Sequence, residues 1–291
     1  MLNSAYFLNL VVNGVVEGII IALAALALTL VFGIARFPNA AAGDTMTLGA
    51  YAGFGAQSLL GGSIVLASVF AMAVTAAVSV FFYYTVFRKL ARSSVAALIA
   101  SIGIAFMLRS GITFFLGHDQ RAFDIPIVRA VPIGPVRIVP SDLTLAAAAL
   151  GALAVVFLVL YMTPLGRRMR AVADDQALAR ASGINAHRVM IMLWVLAGSV
   201  AGLAGTLLGI KTIITPEMGW DLLLPAFAAA ILGGIGSPVG AVLGGLLLGV
   251  AQEVSTPFVG FTYKIGLGFV VLLLVLLIRP NGLLGRGEAV R

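Results

Sequence analysis

Nine apolar stretches, separated by short polar segments, account for most of this 291-residue chain. Hydrophobic residues make up 61% of the sequence and charged residues only 10%. A water-soluble domain of this length would need a far larger polar surface, whereas a bilayer core accommodates about 20 apolar residues per helix. The pattern therefore predicts an all-α, polytopic integral membrane protein with about eight to nine transmembrane helices, some of them short or broken.

The nine stretches leave no room for a separate soluble domain, so residues 1–291 are predicted to form one transmembrane domain. The stretches run from Leu8 to Phe32, Thr45 to Leu60, Ile64 to Phe87, Ser94 to Leu116, Leu143 to Met162, Val189 to Ile210, Leu222 to Leu232, Val239 to Val250 and Ile265 to Ile278. The two stretches that flank Gly233–Pro238 are short. We expect either two short helices or one broken element there.

Positive charges cluster in four places between or after these stretches. The clusters are Arg36; Arg88, Lys89 and Arg92; Arg167, Arg168, Arg170, Arg180 and Arg188; and Arg279, Arg286 and Arg291. Cytoplasmic loops of membrane proteins carry the excess of Lys and Arg. Nine spans with an external N-terminus would place all four clusters and the C-terminus on the cytoplasmic side of the membrane. We expect this membrane to be a bacterial inner membrane. The segment from about 117 to 142 would then be an external loop, and its four prolines predict an ordered, extended cap.

Groups for enzymatic chemistry are scarce. The chain has no Cys and only two His, His118 and His187, both in predicted loops on opposite sides of the membrane. They do not suggest a metal cluster or a Ser/His/Asp triad, and the ATP-binding Gly-x4-Gly-Lys-Ser/Thr loop is missing. The net charge is +7, but the basic residues do not form a stripe interleaved with aromatic residues, as they do in nucleic-acid-binding proteins. We therefore expect a non-enzyme without cofactor, metal or nucleic acid, in which any ATP hydrolysis belongs to separate subunits.

The most polar segment on the predicted cytoplasmic side runs from about 163 to 189. Its composition from Ala171 to Ala181 predicts a short surface helix that Gly183 stops. Two acidic residues near the start and a basic residue near the end suit the helix dipole; they are Asp174, Asp175 and Arg180. Such a helix, joined directly to two spans, could transmit force from a docked partner. By composition alone, an ordinary solvated loop is the simpler interpretation.

Three parts of the chain together resemble one transporter family. The first is Asp175, Ala177, Ala179 and Gly183, continuing through Ile184–Arg188; the second is Leu30–Ile34 with Asn39, Gly43 and Asp44; the third is Ala230–Ala241 with the tail Arg279–Arg286. They resemble the coupling loop, the early signature and the late glycine-rich signature of the H-type permease of high-affinity branched-chain amino-acid ABC importers. That family usually has Asn-Phe-Ala-His-Gly where this chain has Asn39-Ala40-Ala41-Ala42-Gly43, which is compatible with a different amino acid, an amide or another carboxylate as substrate.

The resemblance implies an ATP-driven importer that works by alternating access. The implied partners are two cytoplasmic ATP-binding subunits, a second permease subunit that is similar or identical, an external solute-binding protein and the surrounding membrane lipid. Coupling to the ATPases would involve Asp174, Asp175, Ala177, Ala179, Arg180 and Gly183.

A translocation path needs polar groups or irregular backbone at membrane depth. The Gly233–Pro238 segment frees backbone groups that lipid cannot satisfy, and transporters place such broken helices at their substrate sites. The candidate path residues are Asn39, Gly43, Asp44, Gly233, Gly234, Gly236 and Glu17. Close helix packing is the alternative for these glycines, and it is the expected role of most others at four-residue spacing, such as Gly245 and Gly249.

Three ionisable residues lie within or near predicted spans. A charge at the bilayer centre costs about 2.5–3.5 kcal/mol, so Glu17, in mid-span, is expected to face a cavity or a partner; an interfacial or intersubunit salt bridge is the alternative. Arg109 and Glu253 lie nearer to span ends and are expected to snorkel.

Two other functions remain open at the level of sequence. An ion- or proton-coupled secondary transporter would need no ATPase, but it would need coupling carboxylates at the midplane, where only Glu17 qualifies. An intramembrane enzyme, such as a rhomboid-like protease, would need a nucleophile and a base within the membrane, and neither histidine is placed for that role.

The predicted orientation can be tested by cysteine labelling, since the chain has no native Cys. We expect Ser182→Cys to react with an impermeant thiol reagent only from the cytoplasmic side, and Ala130→Cys only from outside. Reaction of both positions from the same side would contradict the orientation drawn from the Lys and Arg distribution.

Overall fold

The computed structural model describes residues 4–59, 62–91, 93–126, 129–133, 136–260, 263–279 and 282–285. Six residues used in the sequence predictions lie outside these ranges: Leu60, Arg92, Pro280, Asn281, Arg286 and Arg291. The helices are α1 Ser4–Ala35, α2 Ala41–Leu59, α3 Ile64–Phe82 with a π-helical turn Tyr83–Phe87, α4 Ser94–Leu116, α5 Pro140–Met162, α6 Pro164–Asp174, α7 Gln176–Ala181, α8 Ala186–Lys211, α9 Met218–Gly233, α10 Pro238–Val259 and α11 Lys264–Ile278. Two short strands, β1 Val131–Ile133 and β2 Val136–Ile138, pair antiparallel.

Each of the nine apolar stretches corresponds to its own helix in the described part of the chain, with α6 and α7 in the polar segment between the fifth and sixth stretches. Six helices are long and apolar enough to cross a membrane: α1, α3 with its π turn, α4, α5, α8 and α10. The α9 helix and the Gly268–Ile278 part of α11 are shorter apolar helices. The stretches around Gly233–Pro238 form two separate helices. The prediction of an all-α, polytopic membrane protein is therefore confirmed.

Helix α1 lies at the centre of the bundle. Every residue from Gly18 to Val31 is buried, and the helix packs against α5, α8, α9 and α10. A helix that is apolar on all sides suits such an interior position. By contrast, a third or less of the most apolar window of α3, α4 and α5 is buried, as expected of helices that face lipid or a second subunit.

Glycines bring the inner helices into close contact. A Cβ atom at Gly14 of α1 would lie 2.7 Å from the Cα of Val250 in α10, and one at Gly245 would lie 2.5 Å from the Cα of Ala22. In the same way, a Cβ at Gly49 of α2 would lie 2.6 Å from the Cα of Gly202 in α8. The predicted use of repeated glycines for close packing is confirmed at these crossings.

The described members of the basic clusters gather at one end of the bundle. Arg36, just after α1, donates a hydrogen bond to the Ala173 carbonyl (2.6 Å), and it lines the same cavity as Arg88. The chain after Arg279 reaches this end too, because the Leu284 N–H binds the Gly233 carbonyl (2.9 Å). This common location is the one that the positive-inside rule requires.

The segment from Gly117 to Val139 covers the opposite end without a helix among its described residues. The Gln57 side chain at the end of α2 donates to the Asp124 carbonyl (2.8 Å) and accepts from the Asp124 N–H (3.1 Å). Arg121 pairs its backbone with that of Ile214. These links attach the described part of this segment to α2 and to the segment between α8 and α9.

Close packing at Gly49 gives a test of the bundle. We expect Gly49→Val to lower the free energy of unfolding by about 1–3 kcal/mol, because the added methyl groups would overlap the backbone of α8. Gly151→Val in α5 is the matched control, since a Cβ there meets no atom within 4 Å. Thermal unfolding in detergent should separate the two variants, and equal melting temperatures would contradict the packing argument.

Candidate functional site

The polar segment between α5 and α8 forms two helices, so the single helix predicted from Ala171 to Ala181 is wrong. Asp175 is extended (φ −149°, ψ 110°) and its carboxylate accepts hydrogen bonds from the N–H groups of Ala177 (2.7 Å) and Leu178 (3.0 Å). Asp174 therefore ends α6 rather than starting a helix, and Asp175 is the N-cap of α7. The same bonds, from Leu178 and Ala177, hold the pKa of the Asp175 carboxyl below its usual value, so the cap persists at neutral pH.

The end of α7 agrees with the sequence prediction. Gly183 adopts a positive φ of 80°, and the next N–H, that of Ile184, binds the Ala179 carbonyl (3.0 Å). Glycine suits this left-handed position because it has no Cβ. Ala179 is buried, whereas Ala177, Arg180 and most of the other residues of α7 are exposed.

One exposed apolar side chain on α7 escaped the sequence analysis. Leu178 is 66% exposed, beside the buried Ala179 that anchors the helix. The position of a leucine within a short Ala-rich run does not reveal which way it faces, so only the structure identifies it.

Arg36 fastens the end of α6 to the end of α1. Its guanidinium donates to the carbonyls of Ala173 (2.6 Å) and Asp174 (3.4 Å). Arg36 has a φ of 58°, a conformation that non-glycine residues rarely adopt. These two hydrogen bonds link the α6–α7 pair to the end of the central helix of the bundle.

A cavity of about 710 Å³ lies beneath this helix pair, between the ends of α1 and α3 and the starts of α4 and α8. His187, predicted in a loop, belongs to the first turn of α8, where its ring hydrogen-bonds the hydroxyl of Tyr83 (3.0 Å). Further inside, Phe87 and Trp194 stack with ring centroids 4.7 Å apart. The cavity thus separates the polar helix pair from an aromatic cluster that joins α3 to α8.

A second polar region lies within the bundle, where α2 meets α4 and α9. Asp44 of α2 is completely buried, and its two oxygens accept hydrogen bonds from Nε (2.9 Å) and Nη2 (3.2 Å) of Arg109 in α4. Arg109 therefore does not snorkel, because the two-point pairing offsets the cost of removing both charges from water. The guanidinium carbon also lies 5.0 Å from the ring centroid of Trp220 in α9.

Asn39 and Gly43 belong to the same junction. The buried Asn39 side chain accepts a hydrogen bond from the Ala41 N–H (3.1 Å) and so caps the start of α2. A Cβ at Gly43 would lie 2.6 Å from the carbonyl oxygen of Gly219, and the Gly219 N–H binds the Thr47 hydroxyl (3.0 Å). The structure thus brings together three of the predicted path residues, Asn39, Gly43 and Asp44.

The glycine-rich break lies at the end of the bundle that carries the basic clusters. The N–H groups of Leu283 and Leu284 bind the carbonyls of Leu232 and Gly233, both at 2.9 Å. Gly234 and Gly236 have positive φ values of 106° and 83°. The last part of the chain therefore satisfies backbone groups that the end of α9 leaves free, a contact that sequence reasoning missed.

The remaining predicted path residue, Glu17, forms an ion pair within the chain. Its carboxylate lies 2.5 Å from the Lys264 ammonium at the start of α11, and the same ammonium pairs with Glu253 of α10. Glu253 is thus paired rather than snorkelling. Among the described residues, no group of three His, Cys, Asp or Glu side chains could hold a metal ion.

Comparison with known proteins gives a consistent result. The family model "Branched-chain amino acid transport system / permease component" matches residues 10–278. The high-affinity branched-chain amino acid transport system permease protein LivH of Escherichia coli is 33% identical over 307 residues, 97% of each chain. BraD of Pseudomonas aeruginosa, with the same description, is 33% identical over 310 residues, again 97% of each. PsaBC from Streptococcus pneumoniae, solved in complex with Fab, has a similar fold: the TM-score is 0.51 at 15% identity, over 96% of this chain and 94% of that one.

The ion pair between Asp44 and Arg109 predicts an asymmetric response to mutation. Arg109→Met should destabilise the folded protein by about 3–5 kcal/mol, because it leaves an uncompensated buried carboxylate. The double variant Asp44→Asn/Arg109→Met should recover most of that loss, since no charge then remains buried. Detergent melting curves of both variants provide the measurement, and a double variant as unstable as Arg109→Met would refute the explanation.

Proposed function

This chain belongs to the family of branched-chain amino acid transport system permease components, and we propose that it is the membrane-spanning subunit of an ATP-driven ABC importer for branched-chain or related amino acids. The observation that carries the proposal is the α6–α7 pair, an exposed helical element between two spans. Full-length similarity to LivH and BraD, over 97% of each chain, supports it. The chain itself is not an enzyme in this proposal, and separate subunits hydrolyse ATP.

The coupling mechanism that we propose uses α7 as the docking element. The exposed surface of this element has one apolar contact, Leu178, with charged groups around it. The exposed residues are Leu178, Asp174, Asp175, Ala177 and Arg180. Closure of the ATPases on ATP would push α7, and the hydrogen bonds of Arg36 would pass this movement to α1. Ala179 and Gly183 keep the element rigid at its base and at its end.

The proposed assembly contains two cytoplasmic ATP-binding subunits, a second permease subunit and an external solute-binding protein. In Escherichia coli, LivH and LivM are both named as permease proteins of high-affinity branched-chain amino acid transport. LivM is 32% identical to this chain over 124 residues. These names support a second permease that is similar to this chain rather than identical to it.

We place the translocation path along the junction of α2, α4 and α9, where Asn39, Gly43 and Asp44 lie. The Gly233–Gly236 turn would support the cytoplasmic mouth of this path, because it carries irregular backbone at the basic end of the bundle. In the proposed orientation, the N-terminus is external and the C-terminus cytoplasmic. This orientation puts α7 on the side where ATP is available.

An ion- or proton-coupled secondary transporter is the alternative, and one observation favours it. Glu17 and Glu253 share the single ammonium group of Lys264, and paired carboxylates within the membrane are suited to bind a proton. This alternative requires no ATPase, so uptake by the chain without ATP-binding subunits would establish it.

The ABC proposal predicts that changes in α7 uncouple ATP hydrolysis from transport. In vesicles that hold the complete importer, Gly183→Val or deletion of Ala177–Arg180 should reduce leucine uptake at least about tenfold while ATP hydrolysis continues, because the push on α7 no longer reaches the bundle. Gly62→Val is the matched control, since Gly62 also has a positive φ (88°) and open surroundings. Normal uptake per ATP hydrolysed in both α7 variants would contradict the proposal.

A further inference from the structure

Helix α9 begins inside the bundle rather than at its end. The Gly219 N–H binds the hydroxyl of Thr47 (3.0 Å), and the Trp220 ring contacts the guanidinium of Arg109. Arg109 is seven residues from the end of α4, a distance of about 10 Å at the rise of an α-helix. The first turn of α9 therefore lies within the depth that α4 spans.

Two carboxylates of this first turn are exposed. Glu217 precedes α9 and Asp221 follows Trp220, so that they lie four residues apart on one face of the helix. No described cation lies within salt-bridge distance of either, although Asp221 interacts electrostatically with both Glu217 and Arg109. An ionised carboxylate facing lipid at this depth would cost about 2.5–3.5 kcal/mol. Contact of this face of α9 with water or another polar group would remove that cost.

Helices α4 and α9 both pack against α2, and the strip between them, where Arg109 lies beside Trp220, is called the groove below. The Arg109 side chain is 19% exposed and pairs with the buried Asp44. Asp44 binds two N–H groups of the guanidinium, on Nε and Nη2, of the five that arginine carries. The groove thus has spare cationic donors on α4 and the Asp221 carboxylate on α9.

An unsatisfied hydroxyl lies close enough to Glu217, four residues before Asp221, to interact with it electrostatically. Tyr51 is 5% exposed, and its hydroxyl has no hydrogen-bond partner among the described residues. It lies seven residues after Asp44, on the same face of α2, and it packs in one apolar cluster with Met218 at the start of α9. Buried hydroxyls are nearly always hydrogen-bonded, so this one calls for water or a ligand beside the start of α9.

We propose that Arg109, Trp220 and Asp221 form an intramembrane binding site for the zwitterionic group of an amino acid. The Asp221 carboxylate holds the α-ammonium, and the N–H donors of Arg109 that Asp44 does not use hold the α-carboxylate. Trp220 keeps the guanidinium in place. Leu224 is half-buried and lies three residues after Asp221 on α9, which places it on the same face, and it contacts the substrate side chain. Asp44 is a positioning residue, because it acts through Arg109. This inference rests on the proposed function, since it identifies one substrate site on the path.

The charge on Asp221 is tested by leucine uptake into vesicles that contain the complete importer. Asp221→Asn should raise the KM or lower the maximal rate so that uptake efficiency falls at least about tenfold, as loss of a charge-assisted hydrogen bond requires. Asp221→Glu should restore part of the activity. Asp142→Asn, a change in the first turn of α5, is the matched control and should transport normally. Normal uptake by Asp221→Asn would overturn the proposal.

Water access to the groove gives a second, independent measurement. Leu224→Cys should react with a cationic thiol reagent at least about tenfold faster than Leu273→Cys, whose side chain is exposed on the apolar surface of α11, and leucine should slow the reaction. Equal labelling rates for the two variants, or no slowing by leucine, would overturn the proposed site. So would the absence of labelling at Leu224→Cys in the complete importer, which would mean that a second permease covers this face of α9. If wild-type vesicles take up no leucine at all, the proposed function fails instead, whereas the labelling rates still report whether the groove contains water.

Discussion

A bilayer offers no hydrogen-bond partners, and this constraint governs how the polar groups of the bundle are paired. The start of α2 is capped by Asn39, and the end of α9 is bound by the backbone of Leu283 and Leu284. The buried carboxylate of Asp44 has a two-point partner in Arg109. Because the protein itself satisfies these groups, a buried charge and helix ends without lipid-compatible partners can be part of the bundle.

The tightly packed interior helices differ from the exposed α6–α7 pair in how firmly they are held. Glycine contacts such as that of Gly49 with Gly202 bring backbones together and leave no space for helices to slide independently. The α6–α7 pair, by contrast, is mostly exposed and is fastened to the core through Arg36 and a few buried side chains, including Met169 and Val172. A partner that moves this pair would act on α1, and hence on every helix that packs around it.

Hydropathy was enough to locate all nine apolar helices, because lipid imposes a simple requirement on local composition. It could not reveal the break at Asp175, since helix-forming residues continue on both sides. An aspartate three residues before Leu178 is an N-cap signal, and weighting it above composition would have found the break. Arg109 was misjudged for a different reason: its partner Asp44 is 65 residues away, and no periodic pattern links the two.

By itself, the sequence determined the membrane class, the number of apolar helices, the gathering of basic residues at one end and the family, because each depends on composition or local motifs. Only the tertiary structure decided which charges pair, that Glu17 shares Lys264 with Glu253, and that Asp221 is exposed beside Arg109. Those contacts depend on how deep each helix starts and which face it turns to its neighbours. Glycine packing and helix capping determine the depth at which a helix starts and the face that it presents, and they involve residues that are far apart in the chain.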